Sequence, residues 1–256
     1  MGKRGGVLRR CLKCRVKDDK QKRRPELVRR RNARQRERKY YIKTGAAKRG
    51  YTFDLDDATF RAMIRMPCFY CGAAPDPSNG IDRMDNFKDY TRDNCVPCCG
   101  MCNMMKKCLD AATFIRRCRH IAGHSTDDEA WIDRRSVPFA SYKQAAARRG
   151  LPFELTRDEF QTVCRGDCAY CQRPSSGTHL NGVDRVNSME GYTPSNCVTC
   201  CAECNQMKAA VHADDFRAKC AQVARAWHGR DVPHMETTCV RCVTKRRARI
   251  ISGVKA

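Results

Sequence analysis

Cys68-Phe69-Tyr70-Cys71 is followed by Gly80-Ile81-Asp82-Arg83, and both stretches return as Cys168-Ala169-Tyr170-Cys171 and Gly182-Val183-Asp184-Arg185. The offset is 100 residues for the cysteine pair and 102 for the second stretch. The slip falls in the intervening loop, where changes of length are tolerated. The register then holds through Tyr90/Tyr192, Asn94/Asn196, Cys99/Cys201, Cys102/Cys204, Asn103/Asn205, Lys106/Lys208, Phe114/Phe216 and Cys118/Cys220. Upstream, residues 48–60 read KRGYTFDLDDATF and residues 148–160 read RRGLPFELTRDEF. Self-similarity on this scale means one supersecondary unit used twice.

Local signals give each unit the same outline. Asp56 and Thr156 are expected to cap short helices, with Leu55 and Leu155 as hydrophobic staples, and Thr156 with Glu159 forms a capping box. A loop and a hairpin around Ile81-Asp82-Arg83 and its copy should follow. One helix is expected from the second C-x-x-C, and another over Ala111–Ile121 and Ala213–Trp227. Units of this size bury little core and usually need a metal or another staple.

The chain holds 20 cysteines among 256 residues. No apolar signal core opens it, and C-x-x-C pairs suit tetrahedral zinc better than bridges. Each unit offers four: Cys68, Cys71, Cys99 and Cys102, then Cys168, Cys171, Cys201 and Cys204. Four thiolates fill the shell of a structural zinc and leave no position open for substrate. Cys95/Cys98 and Cys197/Cys200 have the same spacing, and spacing alone does not rank the two choices. Cys118 and Cys220, with the cysteines left out of each site, read as small buried hydrophobes. Cys11-x-x-Cys14 and Cys239-x-x-Cys242 are each half a site; together they would close a third.

Formal net charge is +23, and mean hydropathy is −0.68 with a pI near 9.5. Residues 1–50 carry 21 Lys+Arg against 4 Asp+Glu, so +17 of the total sits there. Glu26 to Arg49 is rich in helix formers but poor in apolar residues, so it reads as a basic helix or arm that lies on phosphates. Arg29, Arg30, Arg31 and Arg34 are its expected contacts. Such a field selects polyanions, and no apolar run approaches the ~20 residues of a membrane helix. The expected partner is nucleic acid, DNA ahead of RNA, without a membrane. The expected setting is an intracellular reducing compartment (cytoplasm, nucleus or virus particle) and not secretion.

C-x-Y-C, Gly-Ile-Asp-Arg, Tyr-Thr-x-x-Asn-Cys-Val and C-C-x-x-C-N-x-x-K together resemble the HNH (ββα-metal) nuclease family of mobile elements, phages and large viruses. The likeness covers residues 41–124 and 142–228. It favours Cys99 and Cys102, and their copies, as zinc ligands. It implies a hairpin and helix gripping a magnesium or manganese ion, with Asp82/Asp184 and Asn103/Asn205 as ligands. Asn94/Asn196 match the residue that positions water, and Lys106/Lys208 a basic residue facing phosphate. The family's general-base His is Arg83 in one copy and Arg185 in the other. Arginine stays protonated and is a poor base, though it can hold a phosphate. His179 and Asp85 are the nearest substitutes for the base.

The fold expected is α+β, small and zinc-stabilised: two tandem ββα-metal (HNH-like) modules with flanking helices and a basic N-terminal helix or arm. The segments are an arm with half a zinc site (1–40), module one (41–124), a linker (125–141), module two (142–228) and a basic tail with half a site (229–256). Two functions compete. One is a nuclease or nickase acting by metal-assisted phosphodiester hydrolysis. The other is a catalytically silent binder that packages or scaffolds nucleic acid, including within a ribonucleoprotein or virus particle.

Overall fold

The computed structural model describes residues 36–123, 133–134 and 138–233. The terminal cysteines Cys11, Cys14, Cys239 and Cys242, and Arg29, Arg30, Arg31 and Arg34, lie outside these residues. The chain divides into two units, Met1–Asp54 and Leu55–Ala256.

In the first unit, residues 36–47 form helix α1. It closes in a turn in which the Tyr51 N–H donates to the Ala46 carbonyl at 3.0 Å. Gly50 sits there at φ +78°, a conformation glycine enters without a Cβ penalty. Arg36 and Lys43 are exposed along this helix, and Lys48 is exposed just beyond it. Tyr40 and Tyr41 are 65% and 64% exposed, with their rings edge to face 5.9 Å apart.

The second unit holds both repeats, each a mix of short helices and one two-stranded sheet. Helix α2 (Asp57–Met63) starts where Asp56 Oδ1 accepts from the Thr59 N–H at 2.7 Å. Strands β1 (Gly80–Arg83) and β2 (Cys95–Cys98) pair antiparallel, with Asp82 opposite Val96 and Arg83 opposite Cys95. Helix α3 (Gly100–Lys106) follows, then α4 (Ala111–Ile121). After α5 (Phe139–Arg148), the second repeat gives α6 (Arg157–Arg165), β3 (Gly182–Arg185), β4 (Cys197–Cys200), α7 (Ala202–Lys208) and α8 (Ala213–Ala226). The β3–β4 register is that of β1–β2, residue for residue. The capping box expected at Thr156 and Glu159 is present. Helix α5 begins at Phe139, inside the stretch expected to be linker.

The two repeats share a core. Helix α4 packs on α8, and α3 on α7. Phe114, Ile115 and Cys118 join Phe216, Cys220 and Val223 in one buried cluster. Burying each large apolar side chain contributes about 1.5–3 kcal/mol. Cys118 and Cys220, equivalent in the repeat, are both fully buried in this cluster. A smaller cluster of Leu155, Phe160, Val183 and Tyr192 lies under Phe139 and Tyr142 of α5. Tyr142 Oη accepts from the Val183 N–H at 3.1 Å. A Cβ on Gly182 would stand 2.5 Å from that oxygen, so glycine is what lets Tyr142 reach the strand.

Candidate metal centres and the buried aspartates

Strand and helix geometry gather the two expected cysteine sets. Cys68 and Cys71 lie in the turn before β1, while Cys99 caps α3 and Cys102 sits in its first turn. All four sulfurs lie within 4.8 Å of one another, and so do those of Cys168, Cys171, Cys201 and Cys204. A tetrahedron with Zn–S bonds of about 2.3 Å has edges of about 3.8 Å. The Cys71–Cys99 and Cys171–Cys201 sulfur separations are 3.8 and 3.7 Å. The donor sets therefore fit two structural zinc sites. Hydrogen bonding among the thiols splits the first set: Cys99 is pulled down to about 6, chiefly by Cys102, while Cys102 itself is raised, chiefly by Cys68. Cys68 is lowered as well, again chiefly by Cys102.

The alternative cysteines fall outside. Burial pushes Cys95 and Cys197 up to about 12, so both stay neutral thiols. Cys98 Sγ donates to the Cys99 carbonyl at 3.4 Å, and Cys200 to Cys201 at 3.2 Å.

Asp82 and Asp184 are buried, each 5% exposed. Tyr70 Oη donates to Asp82 Oδ2 at 2.6 Å, and Tyr170 to Asp184 at 2.7 Å. Lys106 Nζ lies 3.1 Å from Asp82 Oδ2 and donates to the Arg83 carbonyl at 2.8 Å. Lys208 does the same with Asp184 at 3.0 Å and the Arg185 carbonyl at 2.7 Å. Burial raises the Asp82 carboxyl against the opposing pull of Lys106 and Tyr70. Lys106 and Lys208 were expected to face phosphate; they are instead fully buried. The reason is that a buried carboxylate needs a compensating charge, and each lysine reaches one from the last turn of α3 or α7. Tyr70 and Tyr170 had no role in the sequence reading; their recurrence inside C-x-Y-C was the available signal.

The neighbouring residues are committed to the loop between the strands. Asn94 Oδ1 accepts from the Asp85 N–H, and its Nδ2 donates to the Asp85 and Asp89 carbonyls, all at 2.9 Å. Asn196 makes the same three contacts with Asn187 and Gly191. The Arg83 guanidinium donates to the Lys88 carbonyl at 2.8 Å and lies over the Tyr90 ring. Arg185 donates to the Ser188 and Glu190 carbonyls over Tyr192. Asn103 is exposed; Asn205 Nδ2 is 3.4 Å from the Val183 carbonyl. His179 is buried, taking the Arg134 N–H and pairing with Asn181. Asp85 Oδ1 closes a turn by accepting from the Phe87 N–H.

No protein-family profile matches the chain. An uncharacterized protein, R423, of Acanthamoeba polyphaga mimivirus is 37% identical over 189 residues. That match takes in 71% of this chain, which spans 36% of the relative's length. Among solved structures, the rare-cutting HNH restriction endonuclease PacI, described as perturbing DNA, is 23% identical with a TM-score of 0.28. That match covers 37% of this chain and 80% of PacI, a score too low to establish a common fold. Among the described residues, no helix is long and apolar enough to cross a membrane.

Proposed function

We propose that this chain is a nucleic-acid-binding protein built on two tandem, zinc-stabilised ββα modules, with the HNH-type scaffold kept for binding. Its charge supports the partner: +23 overall, with exposed Arg36 and Lys43 on α1 and Lys48 just after it. DNA is the first substrate to test, and RNA the second.

One observation carries the choice of binder over nuclease. In both modules the carboxylate that would hold a catalytic cation already holds an ammonium, Lys106 on Asp82 and Lys208 on Asp184. A lysine charge there supplies the compensation a divalent ion would otherwise bring. Arg83 and Arg185 offer no general base, and their guanidiniums are bound to loop carbonyls.

The nuclease reading draws on the recurrence of Asp82/Asp184 with Asn103/Asn205, hard oxygen donors suited to magnesium or manganese. It requires the lysine to leave the carboxylate on loading. The deciding experiment is nicking of supercoiled plasmid in either metal. Wild type would be compared with an Asp82→Asn, Asp184→Asn double variant that keeps zinc. Binding without nicking is the expected result. Nicking by wild type alone would replace the binder with a metal nuclease.

A further inference from the structure

Each cysteine cluster is contacted by the terminal helix of the opposite repeat. Lys219 of α8 places Nζ 3.6 Å from Cys71 Sγ, and its other contact is Gln222 Oε1 at 2.5 Å. Trp227, at the end of α8, donates Nε1–H to the Tyr70 carbonyl, between Cys68 and Cys71, at 3.1 Å. Its ring meets Phe69 edge to face at 5.1 Å. In the other direction, His120 Nε2 of α4 lies 2.9 Å from the Cys171 carbonyl. Arg117 of α4 is buried; desolvation pulls its guanidinium down, opposed by the charges of Glu203, Cys204 and Cys201 of the second repeat and of Asp110 of its own. Arg117 and Lys219 occupy the same register, 102 residues apart.

Zinc bound by four thiolates leaves a formal charge of about −2, which is costly to bury without a cation nearby. In the second repeat Glu203 adds to that charge, and Arg134 and Arg173 pair with it at 3.4 and 3.7 Å. The junction between the repeats is therefore electrostatic as well as apolar.

We infer that the two zinc sites are completed in trans: α8 supplies the cation and a hydrogen-bond donor for the first cluster, and α4 supplies them for the second. Zinc retention at either site then depends on the two repeats staying docked. Lys219 and Arg117 are positioning residues here, acting on the metal through its ligands. Such residues outside the ligand set commonly change metal affinity about 10–100-fold when removed.

The test uses the full-length, zinc-loaded chain under a chelator, with cysteine alkylation mapped by mass spectrometry. Lys219→Met should speed alkylation at Cys68, Cys71, Cys99 and Cys102 by about tenfold or more. Cys168, Cys171, Cys201 and Cys204 should be accelerated much less, and Lys219→Arg should restore the first cluster. Arg117→Met should give the mirror pattern. If Lys219→Met fails to fold, Trp227→Phe removes the N–H donor and leaves a smaller ring against Phe69. It should speed alkylation several-fold at the first cluster and much less at the second. Unchanged rates, or equal acceleration at both clusters, would overturn the inference.

Discussion

Lys106 Nζ and Asp82 Oδ2 lie 3.1 Å apart with both side chains shut off from solvent, and Lys208 repeats the pair with Asp184 at 3.0 Å. Removing one member leaves the other charged, buried and unpaired. Lys106→Met is therefore expected to destabilise the fold by about 3–5 kcal/mol, read by denaturant unfolding. The Lys106→Met, Asp82→Asn double variant should recover much of that loss, because no uncompensated charge remains. A double variant as unstable as the single would mean that the lysine acts through packing and not through the carboxylate.

Because the repeats share one core, loss of either zinc should be felt by both. Structural zinc contributes about 10–16 kcal/mol in small cysteine sites, comparable to or above the ~5–15 kcal/mol total stability of a domain. Cys71→Ser is expected to abolish the folded state of its own repeat. It should also perturb the second, through Trp227 on Tyr70 and α8 on α4. The measurement is calorimetric: one cooperative transition in wild type and none at that temperature in the variant. An undisturbed second-repeat transition in Cys71→Ser would show the repeats to be thermodynamically separate.

The parts of this site legible in the sequence were those with their own spacing. Cysteine pairs at matching offsets narrowed the ligands to two overlapping choices in each repeat, which the family resemblance ranked, and the Asp56 and Thr156 caps followed from capping chemistry. What the sequence did not carry was the partner of each side chain. An aspartate on a hairpin is equally suited to a metal, an ammonium or a loop N–H. Only the fold puts Lys106 one hydrogen bond from Asp82. Likewise the packing of α4 on α8 was not legible, since a pattern of period 3.6 says which face is buried but not against what.

Asn94 and Asn103 both belong to the resemblance to metal nucleases, yet their surroundings differ. Asn94 Oδ1 and Nδ2 make three hydrogen bonds that hold the loop between β1 and β2, each worth about 0.5–1.5 kcal/mol. Asn94→Ala should cost about 1.5–4.5 kcal/mol by that reckoning. Exposed Asn103→Ala should stay within about 0.5 kcal/mol of wild type. Chemical denaturation of the two variants separates a loop clip from a dispensable surface group.

Helices α3 and α7 end on residues other than glycine in a left-handed conformation, Lys107 at φ 51° and Ala209 at φ 53°. Their Cβ atoms make this region unfavourable, at about 1–3 kcal/mol for a strained position. Ala209→Gly relieves the clash, while glycine's larger unfolded-state entropy opposes the gain by about 0.4–1 kcal/mol. A net stabilisation of about 1 kcal/mol is expected from the difference, visible as a raised Tm.

Tyr40 and Tyr41 stand exposed on α1 beside Arg36 and Lys43. Apolar rings left in water between cations are suited to stacking on bases while the cations hold phosphates. Base–aromatic stacking contributes about 1–3 kcal/mol per base and tolerates any sequence. It needs bases turned out of a duplex, so it favours single strands. Tyr40→Ala with Tyr41→Ala should weaken single-stranded binding by about tenfold or more, leave duplex binding nearly unchanged and leave the salt dependence intact. Arg36→Ala with Lys43→Ala should instead weaken both substrates. It should also flatten the slope of log affinity against log salt by about 2 on duplex and slightly less on single strands. Fluorescence anisotropy across a salt series reads both effects, and a tyrosine variant that loses duplex and single-strand affinity equally would remove stacking from the account.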